Sequence, residues 1–214
     1  MDGVRLADRL AYGAGCAARR IGFLHDAYRP DGPEAPVDLA KRFLRLSVAY
    51  VLPGGSVAAP SGFGVAFRQA WADWSYLRAG DYLAGPEGTA FVAVIEPPKP
   101  MMVVMTNTVV SLVRPVAPVL AGLNQYGAVL PGTETTLISR FPASLLVGGV
   151  GDRTKAGLPD DTKVPGFTAL LPVVGDTQPH VADILLNDRG ERFVVIAVEQ
   201  IFSVWRLSLM QTVS

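Results

Sequence analysis

Cysteine is almost missing from this chain: Cys16 is the only one in 214 residues. That excludes an intrachain disulfide and predicts a protein made and kept in a reducing compartment, at least until it assembles. Histidine is nearly as scarce. His25 and His180 are too few to form a zinc site with one cysteine unless carboxylates complete it, and no ligand spacing appears. Net charge is absent too, with 19 Lys+Arg against 19 Asp+Glu. This removes the electrostatic case for tight phosphate-backbone binding, which needs many cationic contacts, while leaving room for a local basic lining. No apolar run approaches the roughly 20 residues of a membrane-spanning helix, although half the residues are apolar and mean hydropathy is +0.31. Asp2, Arg5, Asp8 and Arg9 occupy the start, where a secretory signal would need an uninterrupted apolar core. An apolar excess of this kind is buried either against other subunits or inside a well-filled β core, and composition alone does not choose.

What is present is a repeated β pattern. Asp81, Leu83, Gly88, Phe91, Val92 and Val94 recur as Asp183, Leu185, Gly190, Phe193, Val194 and Ile196. In each copy a short apolar strand enters a turn, Gly85-Pro86-Glu87-Gly88 or Asn187-Asp188-Arg189-Gly190, and an apolar strand leaves it. Asn, Asp, Pro and Gly supply the fixed or positive φ of a reversal, and the β-branched run that follows suits a pleated surface. The match contains no catalytic group and reads as a scaffold signature for two related β-modules.

Upstream, Val4, Ala7, Leu10, Ala11, Ala14 and Ala17-Ala18 recur at helical steps, predicting a helix over about Asp2 to Leu24 with a narrow face of small side chains. Gly13 and Gly15 weaken it by up to about 1 kcal/mol each. Such a helix either packs on another subunit or closes the end of its own β core. Residues 29–37 are a linker, because Pro30, Pro33 and Pro36 stop any helix. Residues 38–52 read equally as a helix capped by Asp38 or as an alternating strand, and PGGSVAAPSGFG reads as a long loop. Phe67, Ala70, Trp71 and Trp74 fit a helical face or a twisted strand. From Gly80 the chain is β-dominated. Strands are predicted near 81–84, 90–95, 101–113, 135–148, 167–174, 183–187, 191–198 and 202–211, with PPKP at 97–100 and GLPDDTKVPG at 157–166 as connections.

The expected fold is therefore mainly β, an N-terminal helix plus two small related antiparallel β-barrel or sandwich modules. The expected division is a helical arm at 1–29, a linker and mixed segment at 30–79, and modules at 80–133 and 134–214. Candidate subunit-interface residues are the aromatics Trp71, Trp74 and Trp205 together with Leu10 and Ala14 on the helix. Catalytic chemistry is sparse. His180 and Asp183 would orient one another in a triad, but no Gly-x-Ser-x-Gly turn accompanies them. GGVGD at 148–152 lacks the Lys-Ser/Thr of a phosphate loop, and Asp160-Asp161 in a Pro/Gly loop reads as a solvated pair rather than a cation site. Arg19-Arg20 and Lys41-Arg42-Arg45 are the basic concentrations. No residue is assigned a catalytic, cofactor or metal role, and no cofactor is expected.

The Gly-Asp-x-Leu, turn, Gly-x-x-Phe-Val pattern, with the second copy running on through Val204-Trp205-Arg206-Leu207-Ser208-Leu209, resembles the small β-barrel core of tailed-phage head–tail adaptor and head-closure proteins. AARRIGFLHDAYRP, GDYLAGPEGTAFVAVIEPPKP and GDTQPHVADILLNDRGERFVVIAVE extend the likeness to virion-associated proteins of proteobacterial phages and prophages. The resemblance implies a non-enzymatic virion subunit made in the host cytoplasm, with no membrane anchor. It would form a homo-oligomeric ring at the neck, with portal or tail proteins as neighbours and DNA passing through its lumen without sequence-specific binding. Which residues line that lumen is left open. Head-closure proteins normally carry one such barrel, so a second copy leaves a tail or baseplate position open. The alternatives are a receptor- or glycan-binding tail component using the tryptophans, and a hydrolase using His180 and Asp183.

Overall fold

The computed structural model describes residues 3–52, 66–116, 134–147 and 166–212. The loop at PGGSVAAPSGFG, the GGVGD stretch and the Asp160-Asp161 pair lie outside the described residues. The chain is mainly β, with one N-terminal helix and two closed six-stranded antiparallel barrels. Helix α1 spans Gly3–Ile21. The first barrel is built from β1 (Phe23–Tyr28), β2 (Arg42–Val51), β3 (Phe67–Trp71), β4 (Tyr82–Gly85), β5 (Gly88–Val94) and β6 (Met101–Met105). The second uses β7 (Thr108–Pro115), β8 (Glu134–Val147), β9 (Gly166–Pro172), β10 (Ile184–Asn187), β11 (Arg192–Ile201) and β12 (Val204–Gln211).

Read around each barrel, the orders are β1-β2-β3-β6-β5-β4 and β7-β8-β9-β12-β11-β10, the same topology twice. The correspondence extends to detail. Strand β5 slips register against β6 between Val92 and Val94, and β11 slips against β12 between Val195 and Ala197. These bulges bend equivalent strands and help a small sheet close on itself.

The module boundaries differ from those expected. Strand β1 falls within the presumed helical arm, β2 and β3 within the presumed linker, and the second barrel begins at Thr108 rather than at 134. Closure requires six strands, but FLHDAY carries a His-Asp pair that breaks any visible alternation. The stretch 38–52 resolves as a 3-10 turn over Leu39–Lys41, capped by the Asp38 side chain, followed by β2. Phe67 to Trp71 is strand, and Trp74–Tyr76 is a 3-10 turn capped by Asp73. The single strand expected at 101–113 breaks at Thr106-Asn107, where the chain passes from one barrel to the other. There the Asn107 side-chain amide donates to the Leu145 carbonyl, and its oxygen accepts the Leu145 N–H, both at 2.8 Å. A side chain thereby substitutes for one rung of ladder at the crossing.

Among the described residues two hydrophobic clusters form the core. One occupies the first barrel around Ala27, Val48, Ala70, Leu83, Val92 and Val103 and reaches Ala11 and Ala14 of α1. The helix thus lies on its own barrel, against β2, β3 and the Trp74 turn. Gly15 is needed there, because a Cβ would stand 2.8 Å from that of Asp73. The second cluster fills the second barrel and continues across the seam, where Tyr82, Phe91, Phe67 and Val104 from the first barrel join Leu170, Phe141 and Val204. In that seam β5 lies against β9 and β6 against β8, and the Tyr82 hydroxyl donates to the Pro142 carbonyl at 2.8 Å. Burying each large seam side chain contributes about 2 kcal/mol, which joins the barrels into one body.

The sequence repeat and the structural repeat disagree by one position after the turn. Tyr82 opposes Phe91, but Ile184 opposes Val194 and Leu185 opposes Phe193. The β10–β11 turn is one residue longer, held by Asn187, whose side-chain oxygen accepts the N–H groups of Arg189 and Glu191. Because side chains alternate faces along a strand, that residue sends Phe91 outward to the seam and Phe193 inward. Phe193 stacks on Phe167 at 5.0 Å inside the second barrel. The matching interior position in the first barrel is Ala90, opposite Leu83, and the buried His25 ring and half-buried Tyr50 ring, 5.2 Å apart, add bulk to that barrel.

Candidate functional site

Two buried carboxylates, one per barrel, are held in matching clamps. Asp81 and Asp183, each 1% exposed, sit just before β4 and β10. Arg29, after β1, donates from Nε and Nη2 to Asp81 at 2.8 and 2.7 Å, and from Nη2 to the Tyr76 carbonyl at 3.0 Å. Arg114, on β7, repeats this with Asp183 at 2.8 and 2.9 Å and with the Gln178 carbonyl at 2.9 Å. Each carboxylate also accepts a backbone N–H from three residues upstream, Arg78 or His180. Each aspartate carbonyl accepts from the bulged strand, Val92 or Val195. The partner carboxylates raise the pKa of both arginines above the ordinary value, through the side-chain hydrogen bond first. The residue before each aspartate, Gly80 or Ala182, has positive φ, 90° and 72°.

These clamps tie the barrel mouth to the loop leading into β4 or β10. They also account for the His180–Asp183 pair considered for a triad. His180 reaches Asp183 through its backbone N–H at 2.7 Å, and Arg114 takes the other carboxylate sites. The arrangement presents no nucleophile and no base held toward one. The arginines were not singled out in the sequence, though a signal existed. Both precede proline, Arg29-Pro30 and Arg114-Pro115, and both aspartates follow an Arg/His-x-Gly/Ala step.

The proposed interface residues separate. Trp74 and Ala14 are buried in the first-barrel cluster, and Leu10 packs on it. Those three are therefore committed to the chain's own core, since the helix's small face is consumed by its own barrel. Trp205 is half-buried against the second cluster, with its indole N–H buried and unpartnered. Trp71 alone is open, 38% exposed on the outside of β3. His25 is buried, its Nδ1 bonded to the Phe23 carbonyl at 3.0 Å, while its Nε2 and the Tyr50 hydroxyl have no protein partner. Burial raises the pKa of the Tyr50 and Tyr82 hydroxyls. Cys16 is half-buried.

Of the basic residues, Arg42 and Arg45 pair with Asp26, and Lys41 with Asp31. The hydrogen bond from Arg45, then its charge, lowers the Asp26 pKa, and Lys41 does the same to Asp31. A cleft of about 360 Å³ opens between α1 and β2, lined by Arg19, Leu24, Arg45, Ser47, Asp73 and Tyr76. Among the described residues no group of three His, Cys, Asp or Glu side chains is gathered to hold a metal, and no helix is long and apolar enough to cross a membrane. Large apolar side chains are exposed instead: Val4, Leu6, Tyr12 and Ile21 on α1, Ile196 in the middle of β11, Phe202 just past its end, and Met210 on β12. No protein-family model, curated protein or solved structure matches the chain.

Proposed function

We propose that the chain is a non-enzymatic structural subunit that assembles with copies of itself, working at the head–tail neck of a tailed-phage virion. The virion setting rests on the sequence resemblance to head-closure and adaptor proteins. The building role is supported by one observation: the buried carboxylates are spent on holding the barrels, while the surface keeps large apolar side chains on α1, β11 and β12. Exposed apolar side chains of this size serve as subunit contacts where they lie together. In a ring, modest basic groups such as Arg19 and Arg20 would be multiplied by symmetry around a lumen, so zero net charge per chain is compatible with DNA passage.

Light scattering after size exclusion, with negative-stain imaging of the same fraction, tests the reading. A defined oligomer seen as a ring end-on supports it. A chain that stays at 22.7 kDa at high concentration, and after addition of portal or tail proteins, overturns it. The glycan-binding alternative is left with Trp71 as its single exposed tryptophan, short of the aromatic platform it requires.

A further inference from the structure

The two barrels of one chain meet through different faces. The first contributes the outside of β4, β5 and β6 with Phe67 of β3; the second contributes the outside of β8 and β9 with Val204 at the start of β12. Because the ladders correspond, the same faces can be located on the opposite barrels. Tyr82, Phe91 and Val104 of the seam correspond to Ile184, Val194 and Met210, since Tyr82 opposes Phe91 and Phe91 opposes Val104 as Ile184 opposes Val194 and Val194 opposes Met210. On the other side, Ser144 opposes Leu170 in the seam as Ala49 opposes Trp71 in the first barrel.

Seam residues Tyr82, Phe91, Val104 and Leu170 are buried, whereas their counterparts stay open to different degrees. Met210 is 45% exposed, Ile184 and Val194 are half-covered, and Ile196 beside them is exposed. Trp71 and the neighbouring Val51 are exposed, while Ala49 and Gln69 next to them are already covered. The chain therefore keeps open a part of each half of a contact it already makes internally: Met210 with Ile184 and Val194 on one side, Trp71 with Val51 on the other.

We infer that this seam is repeated between molecules: the outer face around Ile184, Val194 and Met210 seats on the Trp71–Val51 edge of the first barrel of a second copy. The inference rests on the self-assembly reading and specifies its geometry. A contact between unlike faces does not satisfy itself in a pair. It propagates head to tail, closing into a ring when the rotation per step divides a full turn. Every barrel in such a ring would have near-equivalent neighbours, within its chain and across to the next.

The test uses the full chain and two exposed substitutions, Met210→Glu and Trp71→Glu, each checked by thermal melt for a fold like wild type. Alone, each variant is expected to remain monomeric at concentrations where wild type assembles. Mixed in equal amounts, each still has one intact and complementary face. The mixture should therefore yield a species of about twice 22.7 kDa that grows no further. Wild type that assembles while both variants assemble equally well overturns the face pairing and leaves self-assembly standing. The same holds if the mixture stays monomeric. Wild type that never assembles removes both readings.

Discussion

Replacing Arg29 with alanine leaves the Asp81 carboxylate with one described donor, the Arg78 N–H, in a site where the side chain is 1% exposed. Breaking a fully buried ion pair from one side costs about 3–5 kcal/mol. Here the guanidinium is 35% exposed, so water reaches one partner and the lower end applies, about 2–3 kcal/mol. Arg29 also bonds the Tyr76 carbonyl and stacks 4.4 Å over the Phe43 ring, adding about 0.5–1 kcal/mol. The expected total is about 3 kcal/mol, which for a chain of this size lowers Tm by roughly 6–12 °C. Arg114→Ala should cost the same less the ring stack, since its partners and distances match. Arg29→Lys should recover little, because an ammonium cannot bond both carboxylate oxygens in the fork geometry. Denaturant melts of the single variants, and of the Arg29→Ala/Asp81→Ala double variant, supply the cycle. Coupling above about 1 kcal/mol is expected. Losses under about 0.5 kcal/mol at either arginine, the range of an ordinary surface pair, would refute the assignment of the clamps as structural anchors.

Ala182 stands where the first barrel has Gly80, with φ 72°; Ala182→Gly should relieve left-handed strain and stabilise by about 1 kcal/mol, read as a raised denaturation midpoint. Tyr50→Phe removes a buried hydroxyl with no protein partner, so Tm should hold or rise; a drop of several degrees would show that the hydroxyl is satisfied in solution. Tyr82→Phe strands the Pro142 carbonyl in the seam and should cost about 1–2 kcal/mol by chemical denaturation.

Much of the fold was legible because strands with apolar runs and glycine turns announce themselves. The segments from Gly80 onward fall within a few residues of their expected places, apart from the break at Thr106-Asn107. Strand β1 was missed, and β2 and β3 were legible only as alternatives to helix; the three carry His25, Asp26, Arg42, Arg45 and Gln69 among their apolar residues. Their identity comes from closing a barrel around distant partners, which no local window contains. The small face of α1 reads equally as an arm or a lid, and the choice depends on Asp73 and the Trp74 turn coming within reach of Gly15. Clamp residues separated by 52 and 69 positions have no spacing rule to betray them. The tryptophans illustrate the same limit: type alone made Trp71 and Trp74 equal, whereas strand alternation and a 3-10 turn give them opposite surroundings.

The longer β10–β11 turn has a consequence for how the two halves differ. A length change of one residue exchanges what a hairpin shows to its neighbours for what it keeps to itself, without altering any side chain. The first copy, with the shorter turn, offers its aromatic to the join; the second, with the longer turn, keeps its aromatic inside its own barrel. Lengthening the β4–β5 turn by one residue would therefore take Phe91 out of the join between the barrels and crowd it into the first one in a single step.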